Sequence, residues 1–308
     1  ITTTTTTTTT PKVELAGDWS KAKAKLQNPN CCVVSISGLD HHLSILQQEW
    51  GDLNQDLDLR ARVRVDDGSS ESFAYRDCLD IRNSVESLDD DDDDDEASSF
   101  QLNDPCVKAL EELARGISSL AEDVGKPKQS SLSKKSTCCG HDVFIRIVFA
   151  SDYRAIDPMF HTDKAPLRGY VTLRGVGTQF MTRPCNPLEY VTLRTLGEEG
   201  GGAELVNTFV REAQELEFIV MKGDYYQASS SSDTSSSSVS ASSSWLSKLW
   251  TRTAACVHRS PPGLKTGGRR IIVSLDLADG DDDREWYEAN KKREWRSGMT
   301  QRKSRLVA

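Results

Sequence analysis

The residues best suited to chemistry are His161 and Asp163, in the segment FHTD (160–163). They stand two apart, and in an extended strand side chains at i and i+2 leave the same face. An imidazole beside a carboxylate supplies two ligands of a two-histidine, one-carboxylate metal site. Such a site suits Fe(II) with coordination positions left open, and accepts Zn(II) or Mn(II) less exclusively. His-x-Asp alone carries little information, because a turn or surface pair explains it equally well. A third ligand must come from elsewhere, and the chain has five histidines. His258 stands in VHRSPP (257–262), 95 residues beyond Asp163, and a Gly267-Gly268 turn follows it before RRIIVSLD (269–276). His161, Asp163 and His258 are the expected metal ligands.

Arg269 and Arg270 lie 11 and 12 positions beyond His258. A guanidinium fork matches the two oxygens of a carboxylate, and an arginine at about this offset resembles the basic residue that grips the distal carboxylate of the cosubstrate in 2-oxoglutarate oxygenases, so either arginine is a candidate for that role. Strand alternation lets at most one of them face the site. Arg270 shares its face with Ile272 and Ser274, and Arg269 with Ile271, Val273 and Leu275; Arg270 is preferred, with two solvated edge arginines as the plain alternative. Arg168 and Arg259 flank the ligands, and each fits either an anion contact or a structural ion pair. Cys256 reads more simply as a small buried residue than as a fourth ligand. No residue is assigned a catalytic role.

These residues need a frame to bring them together. Helices are expected at Asp18 to Leu26, at Asp40 to Trp50 with Asp40 as N-cap, and at Asp104 to Val124. In the last, Asp104 caps, Pro105 fits the first turn and an apolar stripe runs from Val107 to Val124. Strands are expected from Asn30 to Ile36 and, by strict alternation, from Leu57 to Val65. After a polar linker the pattern turns to short strands: Val143 to Phe149, Leu167 to Arg174, Tyr190 to Leu193, Leu216 to Lys222, Ala254 to His258 and Arg269 to Asp276. The expected organisation is a disordered Thr tract at 1–11, a mainly helical part at 12–137 with a disordered acidic insertion at about 66–99, a β-barrel at 138–280 with a disordered Ser-rich insertion at 229–244, and a charged helix with a basic tail at 281–308.

The segments FHTD, LRGYVTLRGVGTQF, FIVMKGD, VHRSPP and RRIIVSLD together resemble a bacterial and algal family known as domain of unknown function 1826, over roughly residues 28–278. Its pattern runs Phe-His-x-Asp, an arginine and a glycine turn, Lys-Gly, His-Arg-Ser-Pro, and a strand ending in Asp. Leu173 stands where a tyrosine is usual. The family has no settled activity, so the resemblance supports the site without supplying a reaction. The order of histidine, turn, arginine and apolar strand also resembles the end of double-stranded β-helix oxygenases. The implied fold is α+β: a double-stranded β-helix (jelly-roll, cupin-like) barrel with an N-terminal, mainly helical part packed on it. The implied function is an Fe(II)/2-oxoglutarate-dependent oxygenase. The alternative is a non-catalytic metal-binding or metal-homeostasis protein with a cupin-like barrel. The usual Arg-x-Ser pair of the cosubstrate site is absent.

Charge narrows the partners. A net charge of −9 over 308 residues lacks the basic stripe of a nucleic-acid surface. The acid run Asp89–Asp95 reads as a solvated tract. No apolar run approaches the length of a membrane span. The eight cysteines show no secreted disulfide pattern, which points to reduced thiols inside the cell, in the cytoplasm or an organelle. The start at Ile1 without Met reads as a truncated N-terminus. The substrate, small molecule or protein, has no signature in the sequence.

Overall fold

The computed structural model describes residues 13–51, 57–65, 103–121, 141–150, 159–163, 165–195, 202–224, 226, 255–261 and 268–278. The Thr, Asp and Ser tracts and the expected C-terminal helix lie outside them. In chain order the elements are β1 (Glu14–Ala16), α1 (Trp19–Gln27), β2 (Val33–Ile36), α2 (Asp40–Trp50), β3 (Leu57–Val65), α3 (Asp104–Ala121), β4 (His141–Ala150), β5 (Leu167–Arg174), β6 (Gln179–Met181), α4 (Pro187–Thr195), α5 (Ala203–Phe209), β7 (Val210–Glu212), β8 (Phe218–Lys222), β9 (His258–Arg259) and β10 (Arg270–Ala278).

The helices start where side chains satisfy free backbone N–H groups. Asp18 accepts from the Lys21 N–H at 2.7 Å to open α1. Asn103, not Asp104, caps α3, its side chain accepting from the Cys106 N–H at 2.9 Å. In α2 the expected N-cap Asp40 sits inside the first turn instead. At its other end α1 is closed from a distance. Lys222 Nζ donates to the Asn28 carbonyl at 2.9 Å and the Tyr226 hydroxyl to the Leu26 carbonyl at 2.8 Å. The expected strand at Tyr190 to Leu193 is instead part of helix α4. A capping box explains it: the Glu189 N–H donates to Asn186 Oδ1 at 2.9 Å and the Asn186 N–H to Glu189 Oε2 at 3.0 Å, with Pro187 at the first position.

The strands form a seven-stranded sheet in the order β1-β2-β8-β5-β10-β4-β3 and a three-stranded sheet in the order β7-β6-β9. The large sheet is antiparallel except for β1 with β2. The fold is mixed α+β, with the N-terminal helices packed on a sheet core. Neither sheet closes on itself among the described residues, since β1 and β3 end the large one; this corrects the expectation of a closed barrel. The N-terminal strands β1, β2 and β3 belong to the same sheet as the later ones, so pairing runs across residue 137. No described helix is long and apolar enough to cross a membrane.

Alternation along β5 and β10 separates the two faces of the large sheet. Leu167, Val171, Leu173, Ile271, Val273 and Leu275 join Leu43, Leu46, Trp50, Leu110, Leu113 and Ile117 of the helices in the main core. Gly169 lets α3 come close: a Cβ there would stand 2.7 Å from both Ile117 and Phe218. The other face turns to the small sheet, where Tyr170, Ile219 and Met221 pack with Phe180 and Cys256. That second face carries Arg168, Thr172, Arg270 and Asp276 as well.

Candidate metal centre

The three expected ligands come from two backbone segments held side by side. His161 and His258 form an antiparallel bridge, with the His161 N–H donating to the His258 carbonyl at 2.8 Å and the His258 N–H to the His161 carbonyl at 2.9 Å. Two residues on, the Asp163 carbonyl accepts from the Asp224 N–H at 2.7 Å. The intervening turn needs Gly223, because a Cβ there would lie 1.8 Å from the Ala165 carbonyl oxygen and 2.8 Å from that of Asp163. The Lys-Gly-Asp motif at 222–224 therefore braces the Asp163 loop.

The donor atoms converge. One ligand atom from each of His161, Asp163 and His258 lies within 4.8 Å of the others, the geometry of a cluster able to hold a metal ion. The imidazole centroids are 4.5 Å apart. His161 Nδ1 is 2.9 Å from the Met159 carbonyl, and His258 Nδ1 is 3.2 Å from the Cys256 carbonyl. A carbonyl can only accept, so each Nδ1 carries a proton, and in the neutral rings Nε2 is the atom that a metal would take. His258 Nε2 stands 3.1 Å from Asp163 Oδ2. That oxygen is buried, and while the His258 proton sits on Nδ1 it accepts no hydrogen bond. A buried carboxylate oxygen without a donor is costly unless a cation completes it. The donor set and the orphaned oxygen both fit a divalent ion.

Electrostatics prepare the same atoms. Burial alone would raise the Asp163 pKa, but Arg168, His258 and His161 outweigh it and hold the carboxyl well below the usual carboxylate range. Burial alone would lower the His258 pKa, but the Asp163 carboxylate more than offsets that and raises it. Below that raised pKa, and without a metal, a proton on His258 balances Asp163.

The other expected site residues are placed as follows. Arg168 Nη1 donates to Asp163 Oδ1 at 2.6 Å, and its Nε and Nη2 donate to the two oxygens of Asp276. Arg270 is buried on the face toward the small sheet, donating to the Val176 carbonyl at 2.8 Å, the Tyr170 hydroxyl at 2.9 Å and Thr178 Oγ1 at 3.2 Å. Thr172, paired with Ile272 and on the same face as Tyr170, has a buried hydroxyl without a partner. Arg269 precedes β10 and keeps one buried nitrogen, Nη2, without an acceptor. Arg259 lies 4.4 Å over the Phe160 ring and donates to Gln179 Oε1 at 2.8 Å, a packing role. The Cys256 thiol points at the Met181 and Val257 carbonyls and is not among the clustered ligands. Sequence reasoning missed Asp276 as a neighbour of the site. Its signal was the single charge ending the apolar run RRIIVSLD.

A family model described as "Protein of unknown function (DUF1826)" matches residues 69–276, more than half of the chain, and the chain belongs to that family. No curated protein matches it in sequence. Among solved structures it is similar to a rice dioxygenase for auxin oxidation, at 13% identity and TM-score 0.43, covering 88% of this chain and 85% of that one. It is also similar to the Arabidopsis thaliana dioxygenase for auxin oxidation 1 in its 2-oxoglutarate complex, at 10% identity and TM-score 0.42, covering 88% and 94%. IDO from Bacillus thuringiensis is similar at 13% identity and TM-score 0.42, covering 89% and 100%. At such identities and scores, the chemistry of this chain rests on its own residues.

Proposed function

We propose that this member of the DUF1826 family binds one divalent metal ion through His161 Nε2, His258 Nε2 and Asp163 Oδ2, and that it is an oxygenase using Fe(II) and 2-oxoglutarate. Zn(II) or Mn(II) would fit the same ligands. The supporting observation is the convergence of three ligand atoms within 4.8 Å of one another, with the buried Asp163 Oδ2 3.1 Å from His258 Nε2 and both Nδ1 atoms turned to backbone carbonyls. Three protein ligands leave coordination positions free, and the bound iron would supply dioxygen activation for oxidation of a substrate C–H bond.

The chain's own residues would do the positioning. Arg270 is our choice for the distal carboxylate of the cosubstrate. Tyr170 and Thr178 accept from its guanidinium through their oxygens, so their O–H groups point elsewhere and can donate to a carboxylate, and the Thr172 hydroxyl lacks any partner. Arg269 is the second choice. Arg168, bound to Asp163 and Asp276, serves the metal ligand in this reading and not the cosubstrate. The two facing sheets are read as a double-stranded β-helix of the cupin-like, jelly-roll kind.

A second reading has one observation in its favour. Arg270 Nε holds the Val176 carbonyl and so pins the glycine turn at 175–177, a structural duty needing no ligand. The protein would then bind metal without turnover, as a metal-homeostasis protein. Elemental analysis of anaerobically purified wild type, His161→Ala and His258→Ala tests the shared premise; stoichiometric metal in the wild type only is expected, and equal metal in all three would end both readings. Calorimetry with 2-oxoglutarate on the Fe(II)-loaded protein separates them. Binding is expected, and its absence leaves only the second.

A further inference from the structure

Asp276 has no part in the function proposed above, yet it sits one residue away from a metal ligand through Arg168. The two pair directly across β5 and β10. Arg168 gives its Nε and Nη2 hydrogens to the two oxygens of Asp276, Nη2 to Oδ2 at 2.6 Å, and keeps Nη1 for Asp163 Oδ1 at 2.6 Å. Two parallel bonds to one carboxylate form the stronger, more directional contact of a guanidinium. The fork therefore goes to Asp276, and Asp163 receives a single bond at one oxygen. All three side chains are mostly buried, at 25% exposure for Arg168 and 11% for each carboxylate.

We infer that Asp276 is a positioning residue for the metal ligand Asp163: by taking the Arg168 fork on both its oxygens, it leaves Asp163 as a one-oxygen ligand that keeps its negative charge for a cation. This rests on the metal-site reading. Two consequences follow from the charges. Asp163, Asp276 and Arg168 sum to one negative charge beside two neutral imidazoles, so a divalent ion brings the cluster to a single positive charge. Without Asp276 the three become neutral as a group, and the Arg168 fork can turn onto both oxygens of Asp163, where it competes with the metal. If both partners are removed, Asp163 regains both oxygens and can close on the ion with two of them. A pair serving only to join two strands would show neither effect.

The test is titration of the full metal-free chain with Co(II), read by calorimetry and by its visible absorption, in wild type, Asp276→Asn and the double variant Arg168→Met/Asp276→Asn. Melting of the metal-free proteins reports whether each is folded. Asp276→Asn is expected to weaken Co(II) binding by about 10–100-fold, the usual cost of losing a partner behind a ligand. The double variant is expected to recover most of that affinity, with weaker visible absorption as the added carboxylate oxygen raises the coordination number. Wild-type affinity in Asp276→Asn overturns the inference. So does a double variant as weak as the single one, because freeing Asp163 from the Arg168 fork would then restore nothing. If Asp276→Asn does not fold, the double variant, which removes the buried pair together, still decides; a Co(II) spectrum identical to wild type overturns the inference. Failure of the metal reading looks different: His161→Ala and His258→Ala would then titrate like wild type.

Discussion

The two faces of the large sheet are made by the same strands and have opposite characters. On the helix-covered face, β5 and β10 present Leu167, Val171, Leu173, Ile271, Val273 and Leu275 to a continuous apolar core. On the face toward the small sheet, the alternate residues of those strands are mostly polar, Arg168, Tyr170, Thr172, Arg270, Ser274 and Asp276 with Ile272 among them, directly paired as Arg168 with Asp276 and Tyr170 with Ser274. Burial on the first face is favourable by itself, at about 25 cal/mol for each Å² of apolar surface. On the second, each buried charge costs free energy until a partner is found. One face therefore holds the strands in place, and the other uses that rigidity to keep polar groups close to the metal ligands.

The sharpest break of this contrast is on the apolar side. Leu113 is fully buried between α3 and the sheet. Leu113→Ala should cost about 2–5 kcal/mol of stability through lost transfer energy and a residual cavity. Urea unfolding measures it, and metal stoichiometry in the folded fraction should stay as in wild type. A matched change on the polar side is Arg270→Met. It removes three hydrogen bonds and should cost about 1–3 kcal/mol, mainly from leaving buried acceptors unsatisfied. Unlike Leu113→Ala, it should also abolish 2-oxoglutarate binding in calorimetry while leaving metal bound.

The pH response sharpens the comparison further, because Asp163 and His258 both titrate with shifted pKa values. Below its raised pKa, metal-free His258 carries a proton that a bound metal would displace. Below the raised pKa of His258, Co(II) affinity should fall by about tenfold for each pH unit, one proton being exchanged for one ion. In the metal-free protein the sign is reversed. A raised folded pKa means that the His258 contribution to stability is complete below about pH 6.5 and is lost as pH rises through the folded value. Asp163, with its pKa depressed, contributes above about pH 3.9, and that contribution disappears as pH falls toward its folded value. Thermal melting of metal-free protein across pH reads both. The smallest effect lies outside either face. The exposed pair Glu112 with Arg115 on α3 should give less than about 0.5 kcal/mol on Arg115→Ala, since solvent screens it.

Much of this was legible in the chain. The alternation LDLRARVRV announced β3, and LRGYVTLR announced β5 at its observed bounds. The stripe from Val107 to Val124 announced α3 and its buried side, residues 122–124 lying outside those described. What misled were short segments where local and tertiary signals compete. Tyr190 to Leu193 is apolar enough for a strand, and only the reciprocal bonds of Asn186 and Glu189 turn it into a helix. The three-residue strands β1, β6 and β7 have too few positions to show a period, and they exist because a neighbour offers them a ladder.

For the site, the sequence by itself determined the donor types: two imidazoles, one carboxylate two positions from the first, and arginines placed to follow. Residue chemistry and a two-residue period are local properties, and those can be read without a fold. Only the tertiary structure decided that His258 pairs with His161 across 97 positions of chain, that Gly223 lets the Lys-Gly-Asp turn press against the Asp163 loop, and that Arg168 divides its fork between Asp163 and Asp276. Those are contacts between strands distant in sequence, set by sheet register and by the need to satisfy each buried charge. No local pattern encodes such a register, and so the ligands were visible in the chain while the groups that hold them were not.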